Sequence, residues 1–130
     1  MKTINRILLS LTILIANNYY SIASDKPKLI IDEKTYNFGE VSKKETSKIV
    51  GEYYFTNESS FPIVIFKVDV FCGCLSVEYP KHPIMKGEKG VIKVTIDTKN
   101  QEGRLNKSVF IKSNAENDVV VIRIEGIINN

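Results

Sequence analysis

Short runs of alternating apolar and polar residues dominate the chain after residue 24, and none of them has the 3.6-residue spacing of an amphipathic helix. The runs are rich in β-branched and aromatic residues and are separated by turn residues. They predict strands at 29–32 and 36–38 (one broken first strand), 49–57, 63–70, 75–79, 91–97, 106–112 and 119–128. About seven strands in roughly one hundred residues predict an all-β, immunoglobulin-like β-sandwich with Greek-key connections.

The alternation also predicts which side chains face the core. In the third run, the apolar face is formed by Val64, Phe66, Val68 and Val70. The stretch 80–83 contains two prolines, each of which removes a donor from a strand ladder, so it is predicted to be a loop or an edge.

Four glycines fall at predicted turns between these runs, where a positive φ favours glycine. They are Gly39, Gly87, Gly90 and Gly103. We expect their roles to be structural rather than chemical.

The first 23 residues have the three-part layout of a secretory signal. Lys2 and Arg6 precede an apolar run at 7–16, and the small-residue pattern Ser21-Ile22-Ala23 follows it. The run has about half of the roughly 20 apolar residues that a membrane-spanning helix needs. We therefore expect cleavage after Ala23. Residues 24–130 would then form one extracytoplasmic domain, periplasmic or secreted, with no transmembrane anchor.

Charge and composition exclude several classes of function. Without Lys2 and Arg6, sixteen basic side chains stand against fifteen acidic ones, so the domain has no field that would concentrate nucleic acid or anionic lipid. The chain has one histidine and no glycine-rich phosphate-binding motif. The residues and motifs that most enzyme classes require are therefore absent from the sequence, and we expect a domain that is not an enzyme.

Cys72-Gly73-Cys74 is the one constellation that points to chemistry. In an extended strand, residues i and i+2 lie about 6.6 Å apart at their Cα atoms, the far end of the range for a disulfide, and Gly73 allows the bend that would shorten this distance. Three interpretations remain open: a structural or idle pair, disulfide-bonded or not; a metal site; and a thiol-redox site. A redox enzyme would need a thiol whose pKa is lowered by neighbouring cations or a helix N-terminus.

Two thiolates on one face could bind Cu(I) or Zn(II), with His82 as a third ligand. The spacing signal is weak, because closed zinc sites usually take four ligands from two pairs and the chain has no second pair. A histidine between Lys81 and Pro83 is more often a solvated loop residue.

Two further features carry weaker hypotheses. Tyr54 and Tyr79 could form an aromatic platform for carbohydrate, although tyrosines in strands usually pack against neighbours. The triplets at 57–59 and 106–108 fit the N-glycosylation pattern, which matters only in a eukaryotic secretory route.

From about Thr35 to Gly126, the chain resembles a bacterial family of secreted immunoglobulin-like domains, domain of unknown function 1573, which is related to Hydin-type sandwich modules. The matching pieces, in order, lie at 36–41, 54–57, 62–65, 72–74, 83–84, 87–90, 92–94, Gly103 with 105–107, 113–114 and 122–126. The chain departs from the family at Phe71 and Leu75, where small polar residues are usual, and at Lys86, where proline is usual. The resemblance implies a sandwich in the cell envelope or outside it, and implies no activity.

We therefore expect a non-catalytic binding or structural module that recognises an envelope or extracellular protein through a strand edge or loops. The metal-binding protein and the thiol-disulfide redox protein are the alternatives.

Overall fold

The computed structural model describes residues 25–130, which form seven strands and, within that range, no helix. The strands are β1 (Thr35–Ser42), β2 (Lys48–Thr56), β3 (Ile65–Val70), β4 (Leu75–Glu78), β5 (Lys89–Asp97), β6 (Gly103–Ser113) and β7 (Val119–Asn129). No helix within 25–130 has the length and apolar character needed to cross a bilayer. The predicted signal at 1–23 lies outside the described residues.

The strands form two sheets that pack face to face. One has four strands in the order β1-β7-β6-β3, and the other has three in the order β2-β5-β4. All neighbours are antiparallel except β1, which runs parallel to β7. The predicted all-β, immunoglobulin-like sandwich of seven strands is confirmed.

The broken first strand has a topological reason. Ile31 bridges Phe55 of β2, in the three-stranded sheet, whereas β1 pairs with β7 in the four-stranded sheet. The chain therefore changes sheets between Asp32 and Thr35, where polar residues interrupt the apolar pattern. This crossing closes one side of the sandwich.

The core lies between the sheets and follows the period of two along the strands. Every second residue of β5, from Gly90 to Ile96, is buried, and the same holds for β2 from Ile49 to Phe55. The largest fully buried side chain is Tyr53, whose hydroxyl donates a hydrogen bond to the carbonyl of Arg123, 2.6 Å away, and so joins the two sheets.

One predicted face is wrong. The sequence assigned Phe66 to the apolar face of the third strand, but its side chain is 63% exposed. A β-bulge lies between Ile65 and Lys67 in the pairing with β6. Because a bulge adds one residue to one strand, it changes which side chains face inward. Ile65 is buried before the bulge, and Val68 packs against the core after it.

The turn assigned to Gly90 is a second correction. Gly39, Gly87 and Gly103 have positive φ angles, but Gly90 does not, and it lies inside β5 directly opposite Phe55. A Cβ at Gly90 would lie 2.2 Å from Cζ of Phe55. Glycine is needed here because the aromatic ring covers the backbone, not because the chain turns.

Candidate functional site

The loop 71–74 connects β3 of one sheet to β4 of the other and contains the cysteine pair. The sulfur atoms of Cys72 and Cys74 lie 1.96 Å apart, at disulfide bonding distance, and their Cα atoms are 5.2 Å apart. The chain bends at Gly73, where an added Cβ would meet no atom within 4 Å. The Leu75 amide donates to the Cys72 carbonyl at 3.2 Å, which closes the turn.

This disulfide can contribute little to the stability of the whole fold. In the chain-entropy description, a cross-link that closes a three-residue loop stabilises the native state by only about 1.6 kcal/mol. Both cysteines are half-buried and pack against the edge of a core that is built from aliphatic and aromatic residues of both sheets. The pair therefore fixes the local shape of the loop more than it holds the sandwich together.

Phe71, directly before the pair, is the most exposed large apolar side chain among the described residues, at 84%. Its ring meets the edge of Phe110 in β6 with centroids 5.6 Å apart and planes 75° apart. Phe110 lies directly opposite Val121 of β7, and cross-strand partners share a face. Val119, two residues before Val121, is 46% exposed on the same face.

We call Phe71, Phe110, Val119 and Val121 the apolar stripe. It crosses the outer face of the four-stranded sheet from the cysteine loop to β7. Exposed apolar groups that lie together, unlike those scattered singly, mark interaction surfaces.

Charged side chains border the stripe. Asp69 is opposite Phe110 and forms ion pairs with Lys67 at 2.7 Å and with Lys112 at 3.3 Å. The hydrogen bond from Lys67, followed by that from Lys112 and the charges of both, lowers the pKa of Asp69. Arg123 is exposed on the other side of the stripe, two residues after Val121. Three cations and one anion therefore border it.

Two surface depressions adjoin the cysteine pair. The first is lined by Phe71, Cys72, Leu75, Phe110 and the polar residues at 106–108. The second is lined by Gly73, Cys74, Asp97, Asn100 and Gln101. The two sulfur atoms thus belong to residues that face different depressions.

His82 does not join the cysteines. It is exposed in the loop after β4, and within residues 25–130 no group of three or more His, Cys, Asp or Glu side chains is placed to hold a metal ion. The structure brings together Cys72 and Cys74 alone, with their sulfurs bonded to each other.

The tyrosines and asparagines singled out in the sequence are separated in the fold. Tyr54 is exposed on the outer face of the three-stranded sheet and donates a hydrogen bond to Glu52. The Lys81 ammonium covers the ring of Tyr79, 3.3 Å from its centroid. Asn57 is fully buried and holds three hydrogen bonds, so the triplet at 57–59 is part of the fold.

Three of the four edge strands are poor templates for strand addition, and the fourth, β2, is bridged by Ile31 at Phe55. β1 is irregular between Asn37 and Glu40, and β3 has its bulge beside Lys67. β4 has only four residues. Bulges, short strands and edge lysines are the devices that keep an edge from pairing with another chain.

Sequence reasoning missed the apolar stripe. Phe71 was noticed only as a departure from the family pattern, and its contact with Phe110 joins residues 39 positions apart. The one available signal was the alternation of the run at 106–112, which turns Phe110 outward because Val109 and Ile111 face inward, but the sequence could not place Phe71 on the same face.

A family model described as "Protein of unknown function (DUF1573)" matches residues 29–128. None of the curated proteins in the comparison matches the chain.

Several solved structures share the fold. A protein of unknown function from Porphyromonas gingivalis W83 superposes with a TM-score of 0.67 at 10% identity, covering 85% of this chain and 51% of that one. The ASH / PapD-like domain 7 of human CEP192 gives 0.62 at 6% identity, with 81% and 87% covered. The VesB protease of Vibrio cholerae gives 0.58 at 13% identity, with 79% and 32% covered. The chain thus spans about half the length of the first structure and about a third of the third. At these identities the likeness concerns the fold alone.

Proposed function

The chain belongs to the DUF1573 family of proteins of unknown function, and from that premise we propose that it is an extracytoplasmic, non-catalytic binding module whose apolar stripe takes a segment of another protein. The segment presents apolar side chains together with carboxylates. One observation carries the proposal: Phe71 is 84% exposed, yet its position is defined by the adjoining cysteine loop and by Phe110.

Phe71 leaves a large apolar side chain in contact with water. An aromatic side chain buries a large apolar area when it becomes covered, and a side chain that is already positioned loses little conformational freedom on binding. Aromatic residues of this kind are enriched among those that dominate binding energy. The stripe therefore has the properties of a preformed docking surface.

The charge at the border of the stripe selects the partner. Lys67 and Lys112 share the single carboxylate of Asp69, and Arg123 forms no ion pair with any other residue in 25–130. Glu125 lies one row farther from the stripe and accepts a hydrogen bond from the Asn106 amide. A partner with carboxylates beside its apolar side chain is thus favoured over a basic one.

Docking on a sheet face fits the structure better than the addition of a strand at a sheet edge. Of the four edge strands, the irregular β1, the bulged β3 and the short β4 resist pairing with a new strand, and the bridge from Ile31 to Phe55 occupies part of β2. The location outside the cytoplasm is supported by the signal layout of residues 1–23 and by a disulfide, which persists in oxidising compartments.

A photo-crosslinking experiment tests the proposal. Phe71 is replaced by p-benzoylphenylalanine in cells that express the protein natively, and Tyr54, on the outer face of the other sheet, is replaced likewise as the matched control. We expect one discrete adduct with another protein from position 71 and none from position 54. The partner peptide, sequenced by mass spectrometry, should contain Asp or Glu close to the attachment point.

Charge reversal completes the test. Adding Lys112→Glu and Arg123→Glu to the position-71 variant should weaken the adduct strongly, because the partner's carboxylates then meet like charges. Equal adducts from both positions, no adduct, a partner peptide without carboxylates, or attachment to lipid or to a second copy of this chain would each overturn the proposal.

A further inference from the structure

The cysteine pair has an exposed and asymmetric environment. Both cysteines are half-buried, Gly73 between them is exposed, and each cysteine lines a surface depression of its own. The Cys74 backbone N–H donates a hydrogen bond to Cys72 Sγ at 3.2 Å. Among the hydrogen bonds of residues 25–130, none is donated to Cys74 Sγ.

We propose that the Cys72–Cys74 disulfide is a thiol-exchange site at which a dithiol reductant attacks Cys74 Sγ, Cys72 Sγ leaves, and the opened loop releases Phe71 from Phe110. The regulatory consequence rests on the function proposed above, because it concerns the same apolar stripe. The domain is the substrate of the exchange and not its catalyst.

The reaction proceeds in two balanced steps. The first thiolate of the dithiol forms a bond with Cys74 Sγ while the Cys72–Cys74 bond breaks, and the electron pair remains on Cys72 as a thiolate, which water can protonate. The second thiolate of the reductant then attacks the reductant sulfur that is bonded to Cys74 Sγ. Cys74 leaves as a thiolate. The dithiol is oxidised to a disulfide, and the cysteine pair is reduced by two electrons.

The choice of sulfur follows from the charge left after the first step. A thiolate on Cys72 accepts the Cys74 N–H and lies in the depression that Lys107 lines. A thiolate on Cys74 would instead lie in the depression lined by the acidic residue Asp97 and by no cation. Because the better-stabilised thiolate leaves faster, attack at Cys74 is favoured.

Opening the loop acts directly on the docking surface. Phe71 is bonded to Cys72, and its ring contact with Phe110 depends on the path of the chain through the loop. Leu75 is buried and the Asp97 amide donates to the Cys74 carbonyl at 3.0 Å, so the β4 side of the loop stays anchored. On the other side Val70 is paired with Val109 of β6, so the freedom gained on reduction falls on residues 71–73, which include Phe71.

The exchange is tested with reduced glutathione as the probe. The native, folded protein is treated with glutathione, quenched with iodoacetamide, and fragmented in a mass spectrometer. We expect glutathione on Cys74 and the carbamidomethyl group on Cys72. Lys107→Gln should slow adduct formation about two- to threefold, the effect of a single cation at a partly exposed site, while the matched Lys99→Gln should not.

Glutathione found mainly on Cys72, or found only after the protein is denatured, would overturn the exchange. The release of Phe71 is measured separately by nuclear Overhauser effects between the rings of Phe71 and Phe110, which should be present in the oxidised protein and lost on reduction. Unchanged ring contacts in the reduced protein would overturn the switch. Failure of crosslinking from position 71 would remove the proposed function and leave the glutathione result standing, so the two failures are distinguishable.

Discussion

Gly90→Ala should destabilise the domain because of one contact. The added Cβ would lie 2.2, 2.5 and 2.8 Å from three ring carbons of Phe55, which is 1% exposed. A comfortable contact would require the ring to move by roughly 1 Å into a closely packed core, and overpacking of this kind costs about 1–3 kcal/mol. The backbone at Gly90 has no positive φ, so strain in the main chain adds nothing.

We expect a loss of about 2–3 kcal/mol, which for a domain of this size lowers the melting temperature by roughly 10–15 °C. Urea unfolding and thermal unfolding followed by circular dichroism measure both values. Gly73→Ala is the matched control, because a Cβ there meets no atom within 4 Å. It should change the free energy of unfolding by less than about 0.5 kcal/mol.

A double-mutant cycle with Phe55→Leu isolates the contact. In the Phe55→Leu background, Gly90→Ala should cost less than about 1 kcal/mol, because the ring that obstructs the Cβ is gone. The same loss in both backgrounds would refute the contact as the cause. A Gly90→Ala protein as stable as the wild type would refute the packing argument altogether.

Three further outcomes are expected. Asn57→Ala should lower the free energy of unfolding in urea by about 3 kcal/mol, because three hydrogen bonds of a fully buried side chain are lost. The control Asn106→Ala, at an exposed position, should be nearly neutral. Burial is the main cause that raises the pKa of Tyr53, so its contribution to stability is present below about pH 10 and lost as the pH rises above that value. Unfolding measured from pH 8 to 11 should show this fall in the wild type and a smaller one in Tyr53→Phe. Reduction of the Cys72–Cys74 bond should lower the free energy of unfolding by only about 1–2 kcal/mol and leave the circular dichroism spectrum of a folded domain; unfolding on reduction would contradict it.

The sequence predicted the elements that depend on local alternation. The run at 91–97 alternates cleanly, and β5 buries Ile92, Val94 and Ile96 as expected. It could not predict the bulge before Lys67, because residues 63–66 are apolar on both faces and the alternation does not show where the register changes.

The site needed information that only strand pairing provides. The cysteine spacing left several states open, and the structure joins the two sulfurs and leaves His82 apart. Phe71 and Phe110 are neighbours only because β3 pairs with β6. Likewise Gly90 looked like a turn residue until its partner across the sheet, Phe55, was known.

The central place of β7 bears on when the domain can fold. β7 is the last strand of the sandwich, yet it lies between β1 and β6, so the first strand has no partner in its sheet until β7 exists. Contacts between the ends of the chain, such as the Leu29 amide with Asn117, 88 residues away, are formed late because closing long loops is slow. In this topology the four-stranded sheet, and with it the sandwich, cannot be completed until the final strand has been synthesised. Because of that delay, the polypeptide can pass through a narrow channel before it folds on the far side. The proposed export of this protein requires such a passage.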